Sequence, residues 1–269
     1  MCVAIYKPKK STIKYEDLLA CHETNPDGMG FAVVIDNKLL THRQMDNFPS
    51  FFKLLDDYQN EQIVIHFRIS THGKINRANC HPHLINNGMD NKSIAFAHNG
   101  ILSKYTPNAK SKVSDTVIFR KTMLEPLVQK YPDAIFKDQH LIKLLGEAIG
   151  RGNKLVLLDC KGNHSIINED EGETIKGVWY SNTHWQFSDF THYGNWGNSG
   201  PYRGKYFKRP NSNSGYYRKP TTTIYSDDEI ESICETCNEP FEADQFTLDD
   251  TCDECTADII LEQASGQLD

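Results

Sequence analysis

No stretch of the 269 residues approaches the roughly 18 consecutive apolar residues that a membrane-spanning helix needs, and mean hydropathy is −0.56. That excludes an integral helical membrane protein. The opening residues, MCVAIYKPKK, place their lysines after a short apolar stretch and lack a small-residue cleavage site. Without the order of a secretory signal, the expectation is a cytoplasmic chain. Lys and Arg are missing altogether from 227–269, which hold 15 acidic residues, and acidic residues are missing from 190–225. The net charge of −7 therefore hides 29 positive against 21 negative charges over residues 1–226. Cysteine is sparse outside one cluster: Cys2, Cys21, Cys80 and Cys160 are scattered, whereas Cys234, Cys237, Cys252 and Cys255 sit together. In a chain without an export signal, such a cluster suggests a metal before it suggests disulfides. Regular βαβ alternation is also lacking, which argues against a doubly wound parallel sheet.

What is present over 2–189 is an α+β mixture, with strands and helices in groups. Gln62-Ile63-Val64-Ile65-His66-Phe67-Arg68 alternates, with Ile63, Ile65 and Phe67 on one face and Val64, His66 and Arg68 on the other, so Arg68 projects from a sheet. Further strands are predicted at 2–6, 31–35, 93–97, 154–158, 165–168 and 177–180, and helices at 15–21, 49–58, 115–130 and 138–149. In the last helix Leu141, Leu144, Leu145 and Ala148 recur at spacings of three and four. Residues 190–226 predict a flexible linker: 190–225 carry six Lys or Arg, nine aromatics, five Gly and three Pro without periodicity. Disordered spacers are normally poor in aromatics. Basic residues interleaved with aromatics can track a single-stranded nucleic acid, or lie against the chain's own acidic tail, and both readings stay open.

Four motifs carry chemistry. Removal of Met1 would give Cys2 a free α-amine, so one residue would supply both nucleophile and base; the bland reading is a small cysteine on the first strand. An arginine at a strand end such as Arg68, running into Ile69-Ser70-Thr71-His72-Gly73, can grip a carboxylate with two parallel hydrogen bonds, or pair with a surface acid. Asn99-Gly100 after a predicted strand is either a hairpin turn or two donors, a side-chain amide and a backbone N–H, for a developing oxyanion. Ser114-Asp115-Thr116 opens a helix, with Ser114 as cap and Asp115 set against the helix dipole or against a substrate ammonium.

In order and spacing, Cys2, Asn25-Pro26-Asp27-Gly28-Met29-Gly30, Arg68 to Gly73, His98-Asn99-Gly100-Ile101 and Ser114-Asp115-Thr116 resemble the class II glutamine amidotransferases, which are N-terminal nucleophile hydrolases. The resemblance implies a four-layer αββα sandwich over 2–189 and hydrolysis of glutamine, or a related γ-glutamyl amide, to glutamate and ammonia. It implies Cys2 as nucleophile, Asn99 and the Gly100 N–H as oxyanion hole, Arg68 on the α-carboxylate and Asp115 on the α-ammonium, with Thr71 and His72 on the substrate side. The amidohydrolase chemistry calls for no cofactor, and ammonia would either pass to a partner protein or be released by outright hydrolysis. His66, His72, His81, His83 and His98 are dense enough to raise a metal site, yet no carboxylate stands at a fitting spacing, so they are expected to shape the pocket by hydrogen bonds.

In the tail, Cys234-x2-Cys237-x14-Cys252-x2-Cys255 predicts one structural Zn²⁺ in a zinc-ribbon-like module over 227–269, closed by four thiolates. Its acidity disfavours nucleic acid and favours a protein or the chain's own linker. The competing function is a catalytically silent αββα scaffold that recruits a protein or nucleic acid through this module and the linker. Retention of the Cys, Arg, Asn-Gly and Asp set weighs against it.

Overall fold

The protein is described by a computed structural model over residues 2–71, 73–85, 94–107, 111, 113–187, 232–233 and 240–241. His72, the linker over 190–226 and the four clustered cysteines lie outside the described residues.

Two antiparallel sheets organise the chain. The larger has β1 (Val3–Lys7), β2 (Met29–Ile35), β3 (Lys38–Gln44), β4 (Ile63–Phe67), β9 (Glu173–Ile175) and β10 (Val178–Tyr180) in the order β3-β2-β4-β1-β10-β9. The smaller has β5 (His83–Ile85), β6 (Ile94–Asn99), β7 (Lys154–Asp159) and β8 (His164–Ile167) in that order. β1 and β4 lie side by side in the middle of the larger sheet and are buried at every residue. Their near-continuous apolar sequences follow from having both faces covered. β2 turns into edge strand β3 through Asp36 and Asn37, both at positive φ, the backbone a two-residue hairpin needs and a conformation these short polar side chains tolerate.

Helices α1 (Tyr15–Thr24) and α2 (Phe48–Asp56) share an apolar cluster with β1, β2, β4 and β10, around Phe31, Phe51 and Phe67. Helices α3 (Asp115–Phe119), α4 (Glu125–Lys130), α5 (Ala134–Lys137) and α6 (Gln139–Ile149) share a second with β5 to β8. A third joins the two sheets directly through Ala4, Tyr6, Val64 and Trp179 from one and Ala97, Val156, Leu158 and Ile166 from the other. Each face of alternation in β4 thus has its own destination: Ile63, Ile65 and Phe67 enter the helix-side cluster, and Val64 enters the one between the sheets.

The helix expected at 115–130 is divided. Arg120–Leu124 forms a π turn between α3 and α4, and Pro126 in the first turn of α4 has no N–H to give to the preceding turn. α6 starts on Asp138, whose carboxylate accepts from the N–H groups of His140 (2.9 Å) and Leu141 (3.2 Å), and stops at Gly150 with φ of 79°. Far along the chain, Ser232–Ile233 pairs with Pro240–Phe241 as a short antiparallel ladder. Among the described residues, no helix is long and apolar enough to cross a membrane.

Candidate active site

The register of the larger sheet pairs Val3 with Phe67 and Phe67 with Met29, so Cys2, Gly28 and Arg68 converge just past the ends of three adjacent strands. Cys2 is half-buried. Its Sγ accepts from the Ile69 N–H at 3.3 Å and lies 3.2 Å from the Ile69 carbonyl oxygen. Burial pushes the Cys2 thiol above its ordinary pKa, and the Ile69 backbone and the Arg68 guanidinium pull against that. A thiol so placed stays protonated at neutral pH and needs a base.

Arg68 continues the face of β4 that looks toward the second sheet, and it is 4% exposed. Its guanidinium donates to Ser70 Oγ (3.1 Å) and to the Lys74 carbonyl (3.3 Å). The Asn25–Gly30 loop is tied to the same segment: Asp27 N–H donates to Arg68 O, Arg68 N–H donates to Gly28 O, and Ser70 N–H donates to the Asp27 carboxylate at 2.8 Å. Gly28 has φ of +133°, and a Cβ there would stand 2.3 Å from Cys80 Sγ, so this turn admits only glycine. The Arg68 loop reaches α3 through Asn79, whose amide donates to Lys74 O (3.0 Å) and accepts from the Ser114 N–H (3.2 Å). Asn79 and Asn76, which accepts from the Asn79 N–H, have no sequence pattern that would single them out.

Asn99 and Gly100 come from the end of β6 in the second sheet, and Asn99 Nδ2 donates to the Cys2 carbonyl at 2.5 Å. Its Oδ1 is buried and has no partner among the described residues. The turn that follows is held from two sides. A Cβ on Gly100 would lie 2.2 Å from Asn153 Oδ1, and the Leu102 N–H donates to Asp115 Oδ2 at 2.7 Å. Asp115 also accepts from the Thr116 N–H at 2.9 Å, so this buried carboxylate anchors the turn after Gly100 as well as the start of α3. Ser114 caps α3 as expected, accepting from the Val117 N–H. Thr71 is exposed.

Behind these groups the sheets are bridged by imidazoles. Asn153 donates its amide to Ile149 O, which leaves Oδ1 to accept from His98 Nε2 (3.0 Å); His98 Nδ1 then accepts from the Thr116 hydroxyl (2.9 Å). The His98 N–H donates to His81 Nδ1, so His66 Nε2, 3.1 Å from both His81 Nδ1 and His98 O, carries its proton. Burial lowers the pKa of all three, that of His66 to about 3, helped by His98 and Arg68. These three imidazoles are therefore neutral, hydrogen-bonded spacers. Among the described residues no group of three or more His, Cys, Asp or Glu side chains is arranged to hold a metal.

A family profile described as glutamine amidotransferases class-II matches residues 17–164, taking in Arg68, Asn99, Gly100 and Asp115 and beginning after Cys2. The chain is 26% identical over 163 residues to the glutamine–fructose-6-phosphate aminotransferase [isomerizing] of Helicobacter pylori strain J99, covering 59% of this chain and 25% of that protein. It is 26% identical over 104 residues to the protein of the same name from Bacillus anthracis, covering 38% of this chain and 17% of that one. The chain thus spans a quarter or less of the length of these curated relatives. Among solved structures, the glutamine phosphoribosylpyrophosphate amidotransferase of B. subtilis is similar at 15% identity and a TM-score of 0.37, over 67% of this chain and 41% of that one. A glutamine aminotransferase class-II domain protein from Silicibacter pomeroyi is similar at 15% identity and a TM-score of 0.33, over 60% of this chain and 73% of that one. With the family profile matching more than half of its length, this chain belongs to the class II glutamine amidotransferases, a family of enzymes.

Proposed function

We propose that residues 2–189 hydrolyse the side-chain amide of glutamine through a thioester on Cys2. The observation that carries this reading is the meeting of Cys2, Arg68 and Asn99 at one end of the two sheets, with the Cys2 sulfur against Ile69 and the Asn99 amide on the Cys2 carbonyl. With Met1 removed, the α-amine of Cys2 takes the thiol proton, and the sulfur attacks the amide carbon. The developing oxyanion is met by the second hydrogen of Asn99 Nδ2 and by the Gly100 N–H. Collapse expels ammonia, which leaves with the proton returned from the amine, and water then cleaves the thioester to glutamate. Arg68 takes the substrate α-carboxylate and Asp115 its α-ammonium, with Thr71 and His72 beside them. Asp115 already accepts two backbone N–H groups, so the ammonium would share a carboxylate that is held in place before substrate arrives.

The remaining parts of the reading are proposals of the same kind. Three apolar clusters, two with helices and one between the sheets, support an αββα layering. Ammonia would be delivered to an acceptor on a partner protein in the cytoplasm. A structural Zn²⁺ on Cys234, Cys237, Cys252 and Cys255 is supported by their spacing and by the short ladder of Ser232–Ile233 with Pro240–Phe241 that brackets the first pair in sequence. Four thiolates would leave no open position, so no step of the reaction involves that ion. Truncation at about residue 190 is expected to remove the zinc found by metal analysis and to leave hydrolysis of free glutamine intact; equal zinc in both forms removes the assignment.

The decisive experiment is ammonia release over a panel of glutamine, asparagine and γ-glutamyl amides, with intact-mass measurement of the N-terminus. Glutamine is expected to be cleaved by protein that lacks Met1. Cys2→Ala should abolish turnover; turnover that persists in it overturns the mechanism.

A further inference from the structure

From the geometry we infer that Asn182 is a positioning residue for the nucleophile, holding the Cys2 carbonyl so that sulfur and α-amine project from a fixed backbone. The inference rests on the reading of Cys2 as an N-terminal nucleophile. Once Met1 is gone, the amine side of Cys2 has no chain to restrain it, and the only covalent handle is the peptide to Val3. Rotation about that handle swings sulfur and amine together. Whatever grips the Cys2 carbonyl oxygen fixes the plane of that peptide, and with it the place of the Cys2 Cα from which both reacting groups project.

Two side-chain amides grip it: Asn99 Nδ2 at 2.5 Å and Asn182 Nδ2 at 2.7 Å. They come from different sheets, Asn99 from the end of β6 and Asn182 from just after β10. β10 pairs with β1 as far as Tyr180, and Ser181 extends the ladder with N–H to Ala4 O and with Oγ accepting from the Ala4 N–H, both at 2.9 Å. Beyond Ser181 the chain turns into the short helical turn His184–Phe187, and the Asn182 side chain donates to the carbonyl of Cys2, just ahead of β1 and two residues before Ala4.

The orientation of that amide is fixed. Asn182 Oδ1 accepts from the His184 N–H at 3.2 Å, which leaves Nδ2 to face Cys2, and the Trp185 indole N–H donates to the Asn182 carbonyl. Trp185 is itself buried against Tyr180, with ring centroids 5.1 Å apart. Asn182 thus stands on a rigid support and does one thing at its free end. Its contribution also bears on Asn99. With the carbonyl held by Asn182, orientation does not depend on Asn99 alone, and the second Asn99 hydrogen is left for the oxyanion.

The test uses the full chain carrying Asn182→Ala or Asn182→Asp. The aspartate keeps shape and the acceptor for His184 but replaces the donor with an oxygen facing the Cys2 carbonyl. Three readouts are taken: the rate and pH profile of Cys2 alkylation by iodoacetamide, followed by mass spectrometry of the N-terminal peptide; kcat and KM for glutamine; and the melting temperature. A misaimed nucleophile should lower kcat and the alkylation rate about tenfold, with KM within about twofold because Arg68 and Asp115 are untouched. Both variants should behave alike, with melting temperatures near that of the parent. Wild-type alkylation and kcat in Asn182→Asp overturn the inference, because they assign Asn182 to the His184 turn alone. If Asn182→Ala does not fold, the aspartate variant decides the matter by itself. Should the parent protein fail to cleave glutamine while the variants still alkylate slowly, the substrate reading fails and the positioning role stands. A parent that cleaves glutamine and variants that match it in every readout remove the positioning role and leave the substrate reading intact.

Discussion

The two ends of the layer between the sheets are both polar, but they are built differently. At the end away from Cys2, Gln62 Nε2 donates to Tyr6 OH (2.7 Å) and Gly162 O (2.9 Å), and the Tyr6 ring stacks on His164 at 4.2 Å. None of these side chains has a buried polar atom without a partner. At the Cys2 end, Asn99 Oδ1 and His66 Nδ1 are buried and lack partners among the described residues. Between the ends lies the apolar cluster of Ala4, Val64, Ala97, Val156 and Leu158. A closed latch faces an end that keeps unsatisfied capacity, and buried capacity is costly unless a ligand or water meets it. The difference fits the proposed reading, in which one end holds the sheets together and the other meets the substrate.

The sharpest way to break that separation is at Asn99. Asn99→Ala should lower kcat for glutamine by roughly 10²–10³, the usual effect of losing one oxyanion donor, with little change in melting temperature. Asn99 also holds the Cys2 carbonyl, so part of this loss should appear as slower alkylation of Cys2. A large fall in melting temperature with proportionate loss of activity would show instead that the Asn-Gly pair is only a turn, and the two ends would then be alike.

The imidazoles give the second test. His66, His81 and His98 have folded pKa values below their unfolded ones, so the folded state binds fewer protons than the unfolded state at mildly acid pH. Stability from this source is complete above the unfolded value near ~6.5 and is lost as pH falls below it, down toward about 3 for His66. The slope is at most about 1.4 kcal/mol per pH unit for each imidazole. Protonation of His81 Nδ1 would set a proton against the His98 N–H and His66 Nε2–H that it accepts, which is why the site resists charge. Urea midpoints measured from pH 7.5 to 5 should fall steadily below about 6.5. A flat profile would mean that these histidines are not held neutral.

How far all this was readable in the sequence depends on whether a residue carries a period. Seven strands, β1, β2, β4, β6, β7, β8 and β10, announce themselves by apolar alternation or runs, and Arg68 was placed on a sheet face by alternation alone. β3, β5 and β9 went unread. β3 is an edge strand with partly exposed residues, and the three-residue strands β5 (His-Leu-Ile) and β9 (Glu-Thr-Ile) mix polar with apolar residues, whereas the equally short β10 reads Val-Trp-Tyr throughout. The spacing over 115–130 announces a helix, but nothing in it marks the π turn before Pro126. At the site, Cys2, Asn99 and Asp115 could be proposed from their motifs. Asn79, Asn153 and Asn182 could not, because each is a single amide whose meaning comes from a partner far away, such as Cys2 at 180 positions from Asn182.

The smallest expected effect on chemistry belongs to the closed end, and it tests the comparison from the other side. Gln62→Ala removes the donor shared by Tyr6 OH and Gly162 O in a buried place, which should cost about 1–3 kcal/mol of stability. Because the full paired length of β1 and β4, from Lys7 with Ile63 to Val3 with Phe67, lies between Gln62 and the Cys2 end, the variant should keep kcat/KM for glutamine within about twofold at temperatures well below its melting point. A urea titration measures the first quantity and ammonia release the second. If kcat/KM falls tenfold or more while the fold persists, the two ends are coupled through β1 and β4, and the closed end is part of the catalytic machinery rather than a latch.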